Sequence, residues 1–258
     1  MRLNTKHFAP VLSIAVLLLI AITTSSCSNS TSTGTATPGY NDSDIVEHVF
    51  KHTATVYGKT YTQWSTQWWQ WVMSVPATTA TGAINNPMVD TNGAQASIGQ
   101  QGSVFFLGGK FTNATVSSVT RSVTIPATEP IFFPIAALLQ DQIITGNTNT
   151  TTMQANLVAF IGSLGGIAVS LDNVLIFPTN KSGSTHNPSG QFSYTLPDKN
   201  IYQYLGLTAN AQTVSPAFAD GYYVMLGPLT AGSHVLKFSY NFASSQRSQQ
   251  VTYNITSK

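Results

Sequence analysis

Residues 61–76 read YTQWSTQWWQWVMSVP and hold all four tryptophans of the chain within eight positions. Three of them on one helical face would dominate the packing of a modest domain, because each carries a large apolar surface. Trp64, Trp68 and Trp71 fall at i, i+4 and i+7, with Tyr61 and Val75 on the same stripe, which predicts an amphipathic helix. Thr60 and Gln63 have the spacing of a capping box, and Pro76 ends the helix. Each buried aromatic removes about 150–250 Å² from water, so the stripe needs a broad apolar partner such as a sheet. Trp69 points off the stripe by more than a right angle. It either packs under a loop or stacks on a ligand such as a sugar ring or a base.

The chain opens MRLNTKHFAPVLSIAVLLLIAITTSSC. Arg2 and Lys6 form a basic start, and Val11–Ile22 form an apolar run of signal-peptide length, too short to span a bilayer as a helix. The run ends at Cys27, the only cysteine, in a setting like a bacterial lipobox. Residues 1–27 are therefore read as a lipoprotein signal peptide, with Cys27 lipidated and anchored in a membrane of the bacterial cell envelope. Ser28 after that cysteine fits sorting to the outer membrane by analogy with other lipoproteins. Residues 28–44 are Ser/Thr-rich and read as a flexible tether, and residues 45–258 as a single domain.

Arg2 and Lys6 are two of eleven basic residues, so the remaining nine balance nine acidic ones and the mature chain is formally neutral. That argues against nucleic-acid binding, which calls for a basic patch. Charged residues are 8% of the chain, against about 25% in ordinary soluble domains, so Ser, Thr, Asn and Gln must cover the surface. With one cysteine, no disulfide supports the fold.

Beyond the helix, 77–102 reads as a long loop with a polar lining of Asp90, Asn92, Gln95, Gln100 and Gln101. Strands follow. Val104–Leu107 is a short apolar run. Val119, Arg121, Val123 and Ile125 alternate with polar residues, and Ile131–Ile135 is interrupted by Pro134, which predicts an edge or a bend. A second helix is expected over Met153–Leu164, opened by a capping box of Thr151 and Gln154, and a hairpin turns at Asp172-Asn173. Phe192–Leu196 reads as a strand, and Asp198 as the cap of a short helical turn through Tyr204. Tyr222–Leu226, His234–Tyr240 and Val251–Ile255 complete the β pattern. The fold class is mainly β, a sandwich or jelly-roll-like antiparallel domain with two or three short covering helices.

No nucleophile elbow, HExxH, P-loop or CxxC occurs, and no cofactor motif. His48 and His52 have helical metal-ligand spacing without a third ligand, so no metal site is expected. Two residues break pattern. Arg121 shares a strand face with three aliphatics, and a buried guanidinium needs a partner. Glu129, Asp90, Asp172 and Asp220 are candidates, either in a buried ion pair or with Arg121 free to take an anionic ligand. His234 is in phase with Leu236, Phe238 and Tyr240, as a core histidine bonded to backbone or as a site group converging with Asp220 and Arg121. His186, in a Gly/Ser/Asn loop, reads as exposed.

WSTQWWQWVMSVP, GSVFFLGG with RSVTIPATEPIFFPI, and GYYVMLGPLTAGSHVLKFSY together resemble an uncharacterised family of secreted bacterial proteins, over roughly Tyr57 to Tyr240. The resemblance implies one secreted domain and brings no activity with it. Relatives often carry cysteines near the positions of Ala96 and Ser122; this chain has neither, so that bridge is absent. The expected function is non-catalytic binding or a structural role, with a glycan as the candidate ligand and Trp69, Arg121, Glu129, His234 and Asp220 as candidate binding residues. The alternative is a secreted hydrolase of polysaccharide or ester substrates using Asp90, Glu129, His186 or Asp220.

Overall fold

The tryptophan segment forms helix α1, Tyr61–Ser74. Thr60 and Gln63 close the capping box reciprocally, and Val75 leaves the helix in extended conformation ahead of Pro76. A computed structural model describes residues 49–111, 116–177 and 186–258. The leader, Cys27, the tether, the domain start near Ile45 and His48 lie outside the described residues.

The body is mainly β, in two sheets. The first has four strands: β1 (Phe105–Phe106), β3 (Ile131–Asp141), β7 (Gln212–Leu226) and β6 (Phe192–Leu196), in that order. The second has five: β2 (Val116–Ile125), β9 (Ser248–Ser257), β8 (Gly232–Phe242), β4 (Leu164–Leu171) and β5 (Val174–Phe177). Most pairings are antiparallel; β1–β3 and β2–β9 are parallel. Three further helices are α2 (Gln142–Thr145), α3 (Thr150–Ser163) and α4 (Ile201–Tyr204).

The first sheet is covered on both faces. Ile131, Phe133, Tyr222, Val224 and Leu226 enter the core shared with the second sheet, where they meet Ile167, Val169, Leu236, Phe238, Val251 and Tyr253. Phe106, Phe132, Tyr223 and Met225 enter a second core with the helix α1 indoles. Double coverage explains why IFFPIAALL and GYYVML are continuous apolar runs rather than alternating ones. The second sheet has one dry face, and β2 accordingly alternates exposed and buried residues from end to end.

All four indoles are buried, and each N–H fixes a different segment: Trp64 to the Val56 carbonyl at 2.8 Å, Trp68 to that of Leu107 at 2.9 Å, Trp71 to that of Ile98 at 2.9 Å and Trp69 to the Tyr223 hydroxyl at 2.9 Å. The loop over 77–102 folds onto this helix. Asn86 donates to the carbonyls of Val72 and Val75, both at 2.8 Å, and so occupies the helix C-terminus. Gly99 passes Trp71 at positive φ, where a Cβ would lie 3.3 Å from the indole nitrogen. Two of the loop's polar residues are turned inward to its own backbone, while Asn92 and Gln101 are exposed: the Asp90 carboxylate accepts from the N–H groups of Asn92 and Gln95, and Gln100 brackets Phe106.

Some local expectations need correction. Pro134 is in a central strand. Its missing donor falls beyond the end of two-residue β1, and a register shift between Pro134 and Ala136 supplies the expected bend. Helix α3 is capped by Asn149, which accepts from the Thr152 N–H, and not by Thr151. The short turn α4 is capped by Asn200 rather than Asp198.

Trp68 is fully buried at the centre of this packing. Trp68→Ala is expected to cost about 3–5 kcal/mol of unfolding free energy by denaturant titration. A loss under about 1 kcal/mol would mean that the indoles are not what joins helix to sheet.

Candidate functional site

Arg121 lies on the inward face of β2 and is 1% exposed. Its Nε and Nη2 donate to the Asp90 carbonyl at 3.0 and 2.7 Å, and Nη1 to the carbonyls of Gly108 and Gly109 and to the Tyr253 hydroxyl at 2.8, 2.7 and 2.8 Å. Among the described residues the ion pairs are His186–Asp220 and His234–Asp172, and Arg121 belongs to neither. The expected carboxylate partner is thus replaced by three backbone carbonyls and a phenol. Every guanidinium nitrogen hydrogen-bonds inside the fold and the side chain is out of solvent, so it is a structural clamp rather than an anion site. It joins the loop around Asp90 to the segment after β1. Beside it the Ser122 N–H donates to the Asn92 carbonyl at 2.9 Å, covering the free edge of β2. A Cβ on Gly93 would sit 2.1 Å from the Ser122 carbonyl oxygen, so only glycine permits this contact.

The other candidates do not converge on Arg121. Trp69 is 2% exposed and packed edge-on against Trp68 and beside Phe111, so it offers no stacking face to a ligand. Glu129 sits half-buried in the turn between β2 and β3, away from any ion pair among the described residues. His234 is at the start of β8, where Nδ1 meets the Asp172 carboxylate at 2.7 Å and Nε2 the Thr230 carbonyl at 2.9 Å. Asp172 also accepts from the Val235 N–H, so the pair ties the β4–β5 turn to β8.

Asp220 does acquire a histidine, but it is His186, the one read as merely exposed. Both carboxylate oxygens lie 2.9 Å from His186 Nδ1, and the Gly221 N–H donates to one of them. Asp220 is buried and the imidazole is 42% exposed. Burial raises the Asp220 carboxyl above its ordinary 3.8, against the pull of His186 and the Gly221 N–H. Tyr222, edge-on to the imidazole, is raised by burial and then by the Asp220 charge. Residues 186–189 run along β7, with N–H groups of Asn187 and Ser189 donating to the carbonyls of Gly221 and Ala219. Such a pair orients an imidazole, and no hydroxyl nucleophile is among its described hydrogen-bond partners.

A second buried carboxylate, Asp141, escaped the sequence reading. It caps α2 through the N–H groups of Ile143 and Ile144 and accepts from the hydroxyls of Tyr194 and Tyr202. Both phenols are pushed far above their ordinary 10.0, by burial first and then by the Asp141 charge. This network is sealed where β3, β6 and α4 meet.

The outer face of the five-stranded sheet is accessible, with the alternate residues of β2 exposed. Register places Thr120, Thr252, Lys237 and Ser170 in one row across β2, β9, β8 and β4, and Ser118, Gln250, Ser239 and Ala168 in the next. At that end the sheet curls into an open trough of about 380 Å³, lined among others by Ser118, Gly166, Ser239, Asn241 and Gln250. The alternation of β2 and β9 was the signal for this face. Its extent required knowing which strands are neighbours.

No family model matches the chain, and no curated protein matches it. Among solved structures it is similar to PbICP-C, solved in complex with falcipain-2, at 12% identity and a TM-score of 0.24 over 61% of this chain and all of that one. It is likewise similar to the cysteine protease inhibitor EhICP2 from Entamoeba histolytica, at 13% identity and a TM-score of 0.19 over 57% of this chain and all of that one. Likeness at this level says nothing of what the chain binds.

Two outcomes follow from these contacts. Arg121→Met leaves the Asp90 and Gly109 carbonyls without their donor, and should cost roughly 2–5 kcal/mol in denaturant unfolding. A loss within about 0.5 kcal/mol would refute the clamp. For His234, burial alone would lower the pKa, but the Asp172 and Thr230 hydrogen bonds and the Asp172 charge raise it above 6.5. A folded pKa above the unfolded one adds stability that is complete below the unfolded value and lost as pH rises through the folded one. Proton-exchange NMR should therefore show His234 titrating above 6.5 in the wild type and nearer that value in Asp172→Asn.

Proposed function

We propose that this protein is a lipid-anchored, non-catalytic binding component of the bacterial cell envelope, and that its ligand is an uncharged glycan held on the outer face of the five-stranded sheet. The observation that carries this reading is the composition of that face. Apart from Ala168, the two rows present hydroxyl and amide groups, with Lys237 the one charge in them, at the strand spacing of about 4.8 Å. Hydroxyls and amides can exchange hydrogen bonds with a sugar's hydroxyls without desolvating a charge. The trough offers a concave seat within that surface.

Anchoring rests on the leader and Cys27, with outer-membrane sorting by the identity of Ser28. Among the described residues no helix is long and apolar enough to cross a membrane. The hydrolase reading retains only the His186–Asp220 pair. Arg121, Asp90 and Trp69 are enclosed in the fold, Glu129 is unallied, and His234 braces a hairpin. Dispersal of this kind favours binding over turnover.

Glycan-array retention of the chain from Ser28 onward should detect a neutral polysaccharide, and Gln250→Ala with Ser239→Arg should weaken it by at least about tenfold without shifting the melting temperature. Retention of no glycan, or of one indifferent to both changes, would remove the ligand assignment. Cys27→Ser should release the chain from the membrane fraction; continued fractionation with membranes would refute the anchor.

A further inference from the structure

Val56–Lys59 is a tight turn, reached from Val49 through a short irregular segment that is bridged to Leu226. Val56 and Lys59 exchange both backbone hydrogen bonds, N–H of Val56 to O of Lys59 at 2.9 Å and the reverse at 3.1 Å. The two residues between them, Tyr57 and Gly58, have φ of 49° and 79°, the signature of a type I′ turn. Glycine suits that turn. Tyrosine does not; of the other non-glycine residues at positive φ among the described residues, Asp172 and Asn173 are types that tolerate it and Lys199 is not. The strain is held in place from below. Trp64 donates to the Val56 carbonyl, Tyr61 to the Phe50 carbonyl at 2.6 Å, and the Phe50 N–H to the Met225 carbonyl at 3.0 Å. Strain that the surroundings over-determine is a mark of function.

The turn projects apolar rings into solvent. Tyr57 is 48% and Phe50 36% exposed, with centroids 6.2 Å apart and planes at 77°. Lys51 is exposed beside them, and Lys59 reaches over the Trp64 ring at 4.5 Å. No carboxylate occurs between Val49 and Thr60, and Asp42, Asp44 and Glu47 precede that stretch in sequence. Exposed aromatics flanked by lysines are the pattern of a bilayer interface, where rings enter the headgroup level and ammonium groups meet lipid phosphates. Perpendicular rings do not form the flat platform on which a sugar would stack.

We propose that this turn is a foot that contacts an anionic bilayer, with Phe50 and Tyr57 entering the headgroup region and Lys51 meeting phosphates. The inference rests on the envelope location proposed above, but not on acylation of Cys27. It gives the domain a preferred orientation: the foot faces lipid.

The test is co-sedimentation of the chain from Ser28 to Lys258, which keeps every described residue and lacks the leader and acyl group. The vesicles are phosphatidylcholine mixed with phosphatidylglycerol, against phosphatidylcholine alone. The wild type should prefer the anionic vesicles. Phe50→Ser with Tyr57→Asn should weaken that binding roughly tenfold, and Lys51→Gln roughly fivefold. Tyr57→Asn alone should keep or raise the melting temperature, since asparagine suits the turn. Equal binding to both vesicles, or binding untouched by the paired substitution, would overturn the foot. So would a Tyr57→Asn chain that loses glycan retention and keeps vesicle binding, because the turn would then be a sugar site. Membrane fractionation of the full chain reports separately on the anchor.

Discussion

Four indole N–H groups, each hydrogen-bonded to a different part of the chain, are the constraint on which the rest of the molecule depends. Burying the rings supplies the larger energy, about 150–250 Å² of surface for each. The N–H groups supply the direction. An indole can be buried in many orientations, but a buried N–H without an acceptor costs about 1–3 kcal/mol. Trp64, Trp68, Trp69 and Trp71 therefore fix the 49–59 segment, the end of β1, the centre of β7 and the 77–102 loop relative to one helix.

That arrangement decides which surfaces are left for a ligand. Because α1 covers one face of the first sheet and the second sheet covers the other, β3 and β7 are enclosed. The only broad sheet face in water belongs to β2, β9, β8 and β4, among the described residues. Its polar, nearly uncharged character follows from where the charges go. Asp90, Asp141, Asp220 and Arg121 are all buried, so a chain with only 8% charged residues spends several of them indoors. Asp90 and Asp141 satisfy backbone N–H groups, and Arg121 satisfies carbonyls, in the places where two elements join.

Periodicity made much of the fold legible. The helix with its capping box, the loop after it, the Asp172-Asn173 hairpin and the alternating strands β2, β8 and β9 are all local patterns. The layer structure was less visible: IFFPI and GYYVML read as apolar strands, with Pro134 suggesting an edge or a bend, and their burial on both faces appears only once the covering helix and sheet are in place. The site was less legible, because its residues depend on neighbours far apart in sequence. Arg121 stood out correctly as a buried cation, yet its partners are carbonyls, and a carbonyl has no residue identity to search for. Asp220 stood out without its partner, since His186 lies 34 positions away in a loop that reads as solvent-exposed. Trp69 lies off the helical stripe by its spacing, and is nonetheless buried because Tyr223 on β7 accepts from its N–H. A one-dimensional wheel cannot show a partner reached from the side.

The 49–59 segment shows the same limit from the other direction. In sequence VYGK is unremarkable, and its glycine alone signals a turn. Only the φ of Tyr57, together with the bonds that hold Phe50 and Val56 to α1 and β7, separates a tolerated accident from a retained one. A tyrosine free to relax would leave the left-handed region or be buried. Here the turn is closed by paired backbone bonds and its base is welded to the tryptophan helix, so the ring has nowhere to go but outward. The helix that seals the interior is thus also what keeps an aromatic side chain exposed at the opposite end of the same contacts.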